Sequence, residues 1–176
     1  MSVAAGALPA VTMAEAQAYV RIETGEEEAI VAGLIRTASA LCEAFIGQVV
    51  VAREVVEVLS AGAAWQRLGA TPVRAIGAVE MVAVDGSAVV LTSGDYAVDI
   101  DAHGGGWVRL TGAGSGRVRV TATAGLASDR NGVPEPLRQG IVRLVGHLFA
   151  QRDGSGGEPP AAVTALWRPY RRMRMS

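Results

Sequence analysis

Apolar residues recur at helical spacing in two segments, which lie on either side of a region with a different period. The first segment, ending near Ile46, carries a stripe of Ile30, Leu34, Leu41 and Phe45, with a second row of Val31, Ile35, Cys42 and Ile46 beside it. The second stripe consists of Leu137, Ile141, Leu144, Val145, Leu148 and Phe149. Spacings of three and four residues place side chains on one helical face, so both segments predict amphipathic helices. Neither face can bury itself, and we expect the two helices to pack together.

Start and stop signals define the ends of these helices and predict two shorter ones. The sequences Thr12–Glu15 and Thr24–Glu27 are typical of capping boxes, which open a short helix over about 13–20 and then the first long helix. Gly47 suits the position after that helix ends. Prolines and an acid at 133–136 open the second long helix. A Gly/Ser/Pro-rich loop at 153–160 then precedes a last short helix over about 161–167.

From Val49 the pattern favours β-structure. Residues 49–59 are rich in valine and predict a strand, or a strand pair with a turn near Arg53, and residues 60–75 predict a loop. Asp85-Gly86 between apolar runs is a strong hairpin signal. Further short strands are predicted at 96–100, 107–110 and 117–123, separated by glycine-rich turns. The sequence therefore predicts an α+β fold: a helical frame of about three to four helices with an inserted antiparallel β module at 48–125.

Length and composition fit one domain with a sizeable insertion. The 176 residues are half apolar, with a formal net charge of -1, so the chain as a whole is not a nucleic-acid binder by bulk electrostatics. Cys42 is the single cysteine, which excludes an internal disulfide. No uncharged run approaches the length of a membrane span, and we expect the protein to fold in the cytoplasm. We expect residues 1–11 to form a flexible arm and 12–176 a single domain.

Candidate catalytic and metal motifs are incomplete. His103-Gly104-Gly105-Gly106-Trp107 resembles the oxyanion segment of some esterases, but the residues around Ser115 do not form the required nucleophile elbow. The glycines at 112, 114 and 116 lack the dinucleotide-binding spacing and predict a hairpin loop instead. The acids Asp95, Asp99 and Asp101 lie near a single histidine, which makes a transition-metal site unfavourable. His147, on the second long stripe, is interpreted as an interior or boundary histidine. We therefore predict no catalytic, cofactor-binding or metal-ligating residues and no cofactor.

Charge is distributed unevenly along the chain. Residues 1–60 carry eight acidic residues and three Arg, whereas residues 135–176 carry three acidic residues and seven Arg. Arginine and aromatic residues are enriched at protein interfaces. The C-terminal segment 161–176 is therefore predicted to be a docking segment, and a solvated basic tail or a nucleic-acid contact is the alternative. Its expected contact residues are Trp167, Arg168, Tyr170, Arg171, Arg172 and Arg174.

The order of short motifs over roughly 160 residues resembles the head–tail connector (adaptor) family of long-tailed phages and phage-like gene transfer agents. The N-terminal motifs are Met13–Ala16, Val20–Ile22, Ile35–Ala38 and Cys42–Gly47. The central motifs are Thr71–Val73, Val84–Gly86, Asp95–Val98 and Thr123–Gly125. The C-terminal motifs are Val133–Gln139, His147–Arg152, Pro160–Val163 and Pro169–Arg171. No single motif is specific, and residues 1–11 are not part of the pattern.

The resemblance implies a structural protein without enzymatic activity. It implies a homo-oligomeric ring, expected to be a dodecamer, between the portal protein and a tail-side neck or tail-terminator protein. DNA would pass through the lumen without sequence-specific binding, and the chain would move from the cytoplasm into the particle neck. It also implies that the C-terminal segment contacts the portal. The alternatives are another neck or tail-completion protein and, more distantly, an esterase-like hydrolase.

Overall fold

The computed structural model describes residues 2–3, 9–21, 27–112, 116–151 and 158–172. The chain forms two compact units. The first, here called the β unit, comprises Met1–Ala7 and Ala52–Leu126. The second, here called the helical unit, comprises Leu8–Val51 and Ala127–Ser176, so that segments from both ends of the sequence build it together.

Within the residues that the structure describes, the helical unit has four α-helices. They are α1 (Met13–Val20), α2 (Glu28–Ile46), α3 (Glu135–Ala150) and α4 (Ala161–Trp167), with short 3₁₀ turns at Arg130–Gly132 and Arg168–Tyr170. Helix α3 packs against the other three, and its buried side chains include Leu137, Ile141 and Leu144. The prediction that helices separated by the β region pack together is confirmed.

The capping signals hold where the structure describes them. Thr12 and Glu15 form a reciprocal capping box at α1, in which the Glu15 N–H donates to Thr12 Oγ1 at 3.1 Å and the Thr12 N–H donates to Glu15 Oε2 at 2.7 Å. Gly47 ends α2 with a left-handed φ of 69°, as predicted. The second predicted capping box lies largely outside the described residues. Of that box, Glu27 is described, and it occupies the N-cap position of α2 without a side-chain cap.

The buried row of α2 differs from the predicted stripe. Helix α2 buries Val31, Ile35, Ala38, Cys42 and Ile46, which is the row expected beside the stripe. Ile30 and Leu41, from the expected stripe itself, are 45% and 38% exposed. The second row is buried because it is apolar along its whole length: Ala38 fills its middle with a small apolar side chain, whereas the polar Thr37 interrupts the stripe. By length and composition alone α2 could cross a membrane, with a mean hydropathy of 1.6. Helices of this kind also occur in protein cores, and α2 packs against α1, α3 and α4.

The described part of the β unit has eight strands in two antiparallel sheets. The strands are β1 (Ser2–Val3), β2 (Arg53–Ser60), β3 (Gln66–Arg67), β4 (Val73–Val82), β5 (Ala88–Val90), β6 (Tyr96–Ile100), β7 (Gly106–Leu110) and β8 (Arg117–Ala124). One sheet has the order β1-β2-β8-β4-β5 and the other β3-β7-β6. Together with the helices, these sheets confirm the predicted α+β class.

Strand β8 alternates buried and less buried residues and supplies Val118, Val120, Ala122 and Ala124 to the core. On neighbouring β2 the buried positions are Val55 and Glu57. The Glu57 carboxylate accepts the backbone N–H groups of Gly69 and Ala70 at 2.8 and 2.6 Å. These bonds satisfy a buried charge and hold the loop before β4 against the sheet.

The strand boundaries agree with the sequence in most places. The Asp85-Gly86 turn joins β4 to β5 as predicted, with Gly86 at φ 88°. The segment 60–75, predicted as a loop, contains β3 and the start of β4, because glycine and alanine gave no periodic signal there. At the N-terminus, Ser2–Val3 pairs with β2, and Ala10 and Val11 at the end of the expected flexible arm are buried.

Candidate interaction surface at the C-terminal segment

Trp167, expected as an interface anchor, lies in the core of the helical unit. Its side chain is fully buried, and its indole N–H donates to the Leu137 carbonyl at 3.4 Å. The ring also lies 5.9 Å from that of Phe45, measured between centroids, at an angle of 54°. Gly140 of α3 leaves the space that the indole occupies. The expectation of an exposed Trp167 anchor is wrong, because an apolar ring of this size is buried within its own chain.

The residues that follow Trp167 are fastened to the end of α2. The Gln48 side-chain amide donates to the Tyr170 carbonyl at 2.7 Å, and the Arg172 N–H donates to the Ile46 carbonyl at 2.8 Å. The Arg171 guanidinium lies 5.7 Å from the centre of the Phe45 ring. Cations are favourable near the negative end of a helix dipole, which adds to these contacts. The segment is thus ordered within this chain as far as Arg172.

Fewer of the expected docking residues are therefore exposed than the sequence predicted. Arg168 and Arg171 are exposed, Tyr170 and Arg172 are half-buried, and Arg174 lies outside the described residues. The described segment therefore offers a partner two exposed arginines, Arg168 and Arg171, on a backbone that is bonded to the end of α2.

The glycine-rich segment at 103–107 has a structural explanation. Asp101 accepts the backbone N–H groups of His103 and Gly105, each at 2.8 Å, and the Trp107 indole N–H at 3.2 Å. Gly104 has a φ of 73°, and at Gly105 a Cβ atom would overlap the Asp101 carboxylate. These glycines shape the β6–β7 connection, and His103 is exposed. Ser115 lies outside the described residues.

Two other aspartates, Asp95 and Asp85, stabilise turns. The Asp95 carboxylate accepts the Thr92 hydroxyl and N–H at 2.6 and 2.9 Å, and these bonds hold the pKa of Asp95 below its usual value. Ser87 lowers the pKa of Asp85 in the same way. Asp99 is exposed on β6. Among the described residues, no group of three or more His, Cys, Asp or Glu side chains could hold a metal ion.

Two other groups are accounted for by packing. Cys42 is fully buried on α2, and burial raises the pKa of its thiol to about 12, with a smaller contribution from Glu43. His147 is half-buried in the last turn of α3, consistent with the interior or boundary position expected. A depression in the β unit, lined in part by Leu59, Gln66 and Arg109, has a cavity volume of about 10 Å³. A cavity of that size holds about one water molecule, which is far too small for a ligand site.

The fold is α+β: helices from both ends of the chain form one unit, and the antiparallel β unit is inserted between them in the sequence. Three solved structures contain chains with this fold. One, from the neck of an empty GTA particle computed with C6 symmetry, has a TM-score of 0.76 and 23% identity, covering 100% of this chain and 98% of that chain. A chain in the virion of a native gene transfer agent (GTA) particle has a TM-score of 0.74 and 24% identity, with the same coverage. A chain in the neck of a native GTA particle computed with C12 symmetry has a TM-score of 0.72 and 23% identity, again with that coverage.

These likenesses confirm, at the level of the fold, the resemblance noted from the sequence. No protein-family model matches the chain, and no curated protein matches it significantly.

Proposed function

We propose that this chain is a structural head–tail connector (adaptor) subunit in the neck of a phage-like particle. The observation that carries the proposal is a fold shared over the whole chain with chains of GTA necks, at TM-scores of 0.72–0.76. The likeness covers 100% of this chain and 98% of each of those chains, so it includes both the helical unit and the β unit. The order of sequence motifs supports the same family independently.

In this role the subunit forms a homo-oligomeric ring, expected to be a dodecamer, between the portal and a tail-side protein. The C6 and C12 symmetries of the similar necks support a ring. DNA passes through the lumen without sequence-specific contacts, in keeping with the net charge of -1. The subunit folds in the cytoplasm, joins the neck during assembly and catalyses no reaction.

The exposed arginines of the C-terminal segment form the portal contact in this proposal. The backbone that carries Arg168 and Arg171 is held at the end of α2 by the bonds of Tyr170 and Arg172, so little backbone freedom is lost when a partner binds. Carboxylate or carbonyl groups on the portal match these guanidinium groups.

Loss of the chain tests the function. Particles assembled without it should accumulate as heads without tails, and subunit-resolution imaging of complete particles should locate the chain directly against the portal. A position farther toward the tail would identify another neck or tail-completion protein, and tailed, infectious or transducing particles at normal yield without the chain would reject both roles.

Charge reversal tests the portal contact separately. Arg168→Glu with Arg171→Glu should leave the subunit folded and abolish its attachment to the portal, whereas Arg143→Glu, at an exposed position of α3, serves as the matched control. If the double variant attaches normally, the portal contact lies elsewhere. If it attaches but no longer contacts its neighbour in the ring, the segment belongs to the subunit–subunit interface.

A further inference from the structure

One cross-strand row of the five-stranded sheet ends in an exposed valine at each side. The row runs from Val58 on β2 through Arg119 and Glu80 to Val90 on β5, as the strand registers show. Arg119 and Glu80 form an ion pair of 3.5 Å in the middle of the row. Val58 is 49% and Val90 66% exposed, so the row is polar at its centre and apolar at both ends.

Strand β5 is exposed on both faces, and no strand among the described residues pairs with its outer edge. Ala88, Val89 and Val90 are all exposed, and Val89, which points to the opposite face from Val90, is 67% exposed. Apolar β-branched side chains on an uncovered edge favour pairing with another strand, and proteins usually block such edges with charges, proline or a bulge. None of the three residues provides such a block.

Backbone N–H and C=O groups point away from the sheet on β5 and on β2, at positions that match each other. The Leu91 N–H donates to the Val79 carbonyl and the Ala83 N–H to the Ser87 carbonyl, each at 2.9 Å. Because bonded pairs alternate along antiparallel strands, the N–H and C=O groups of Ala88 and Val90 face the free edge of β5.

On β2, the Ala61 N–H donates to the Gly116 carbonyl at 2.9 Å, and the same alternation turns the backbone groups of Val58 and Ser60 away from β8. Strand β1 pairs with Val55 and Val56 only, and within the described residues no strand pairs with the outer side of β2 from Glu57 to Ser60. The Ser60 carbonyl accepts the Gln66 side-chain amide at 2.6 Å and, with two lone pairs, can accept a second donor.

We infer that β5 of one subunit pairs with the outer edge of β2 in a second copy of this chain, with Val90 opposite Val58 and Ala88 opposite Ser60. Successive strands from β2 through β8 and β4 to β5 are antiparallel, so β5 runs opposite to β2. A neighbour that continues the sheet therefore presents β2 antiparallel to β5, and the alternation of strand direction is unbroken.

The match of both edges favours a second copy over an unrelated partner. The two edges agree in strand direction, in the positions of their outward amides and in the placement of an exposed valine in the same row. Contacts between two different surfaces of identical subunits are the kind that close a ring. The inference rests on the proposed ring and identifies the surfaces that would form it.

Cysteine pairing tests this register. In particles whose subunit carries Val58→Cys and Val90→Cys, mild oxidation should give a ladder of disulfide-linked multimers on a non-reducing gel. Directly opposite residues in a bonded pair lie about 5.5 Å apart between Cα atoms, within the range of about 4.4–6.8 Å for a disulfide. Inside one subunit the two positions are three strand spacings apart, or about 14 Å, which excludes an intramolecular bond.

Three controls define the result. Each single variant should stay monomeric on the gel, and Val58→Cys with Val89→Cys should not form the ladder, because Val89 points to the other face. The native Cys42 is buried and common to all variants. Since both valines are exposed, the double variant should retain wild-type thermal stability.

The outcomes separate this inference from the proposed function. Monomeric bands from particles that contain the double variant would overturn the edge pairing and leave the connector role intact, whereas absence of the wild-type chain from mature particles would overturn both. As a second measurement, Val90→Lys should leave the purified subunit folded and cause its loss from particles. Normal incorporation of that folded variant would also overturn the edge pairing.

Discussion

The indole of Trp167 lies over Gly140 of α3, at a point where the Cβ atom of any other residue would overlap the ring. The close approach lets the indole N–H reach the Leu137 carbonyl one turn earlier on α3. A single glycine thereby sets the distance between α3 and α4, and with it the position from which Arg168 and Arg171 project.

Gly140→Ala should destabilise the protein although alanine is the better helix former. The added methyl group forces the indole out of its site, and overpacking of this kind costs about 1–3 kcal/mol. The higher helix propensity of alanine stabilises the helix by up to about 1 kcal/mol, which is less than this cost. The free energy of unfolding should therefore decrease. Chemical denaturation measures it, and weaker indole burial should appear as a shift in tryptophan fluorescence.

Gly33→Ala is the matched control on α2. A Cβ atom there meets only the end of the Arg36 side chain, at 3.9 Å. This variant should be stabilised by up to about 1 kcal/mol, because propensity acts without a steric penalty. Equal effects of the two substitutions would show that the space beside Trp167 does not control the packing of α4.

Leu144→Asp should unfold the protein. Leu144 is 1% exposed on α3, and an unpaired carboxylate at that site loses its hydration without gaining a partner. Arg143→Asp, at the exposed neighbouring position, should remain folded with a small change in the midpoint of thermal unfolding. Wild-type stability of the Leu144 variant would contradict the packing of α3 against the other helices.

Glu15 should make stability depend on pH in the acid range. The carboxylate accepts the Thr12 N–H and hydroxyl and also contacts Arg138, and the bond from the Thr12 backbone is the main cause of its lowered pKa. A pKa lowered by folding means that the stabilisation is present above the unfolded pKa, near 4.3, and is lost as the pH falls through the folded pKa.

The Glu15→Gln variant should therefore be less stable than wild type at pH 7, by up to about 1 kcal/mol for a partly exposed ion pair. The two proteins should converge as the pH falls below the unfolded pKa and through the lowered folded pKa, because wild-type Glu15 then becomes protonated. Glu135→Gln, which removes a more exposed partner of the same Arg138, should change stability less. A constant difference between Glu15→Gln and wild type from pH 7 to pH 3 would exclude the charge as its origin.

Asp101 and His103 should differ in their effect on the fold. Asp101→Ala removes an acceptor shared by two backbone N–H groups and the Trp107 indole, and hydrogen bonds to a charged group contribute about 1.5–3 kcal/mol each. His103→Ala removes an exposed side chain and should be neutral for stability and particle assembly. A hydrolytic activity that disappears in either variant, or in Ser115→Ala, would contradict the non-enzymatic role.

Local patterns predicted the helices and most strands because their signals lie within a few residues of each other. Helix α3 follows its apolar stripe closely, and the Asp85-Gly86 turn forms as expected. On α2 the sequence identified Val31, Ile35, Cys42 and Ile46 but not that their row is the buried one, because that depends on the small Ala38, which a count of large apolar residues overlooks.

The interaction residues were harder to predict. Aromatic and arginine composition pointed to residues 167–174, but composition does not distinguish an interface tryptophan from a core one. Gly140 on the buried stripe of α3 was the available signal, since it leaves room for a large ring. The row from Val58 to Val90 depends on how four strands are aligned, and β8 lies far in sequence from the strands on either side of it. A local sequence pattern cannot specify that alignment.

The length of a C-terminal truncation should decide whether the subunit folds or only loses a contact. Ending the chain after Leu166 removes Trp167, whose deletion from a core costs about 3–5 kcal/mol, and this protein should unfold or become strongly destabilised. Ending it after Arg172 retains the indole and the bonds of Tyr170 and Arg172 to the end of α2, so its thermal stability should match that of the full chain. The longer truncated protein is therefore the informative one for portal binding. Retained attachment would place the contact on Arg168 and Arg171, whereas loss of attachment in a folded protein would assign it to residues 173–176. Unfolding of the longer truncated protein would contradict the stabilising role assigned here to the contacts of residues 167–172.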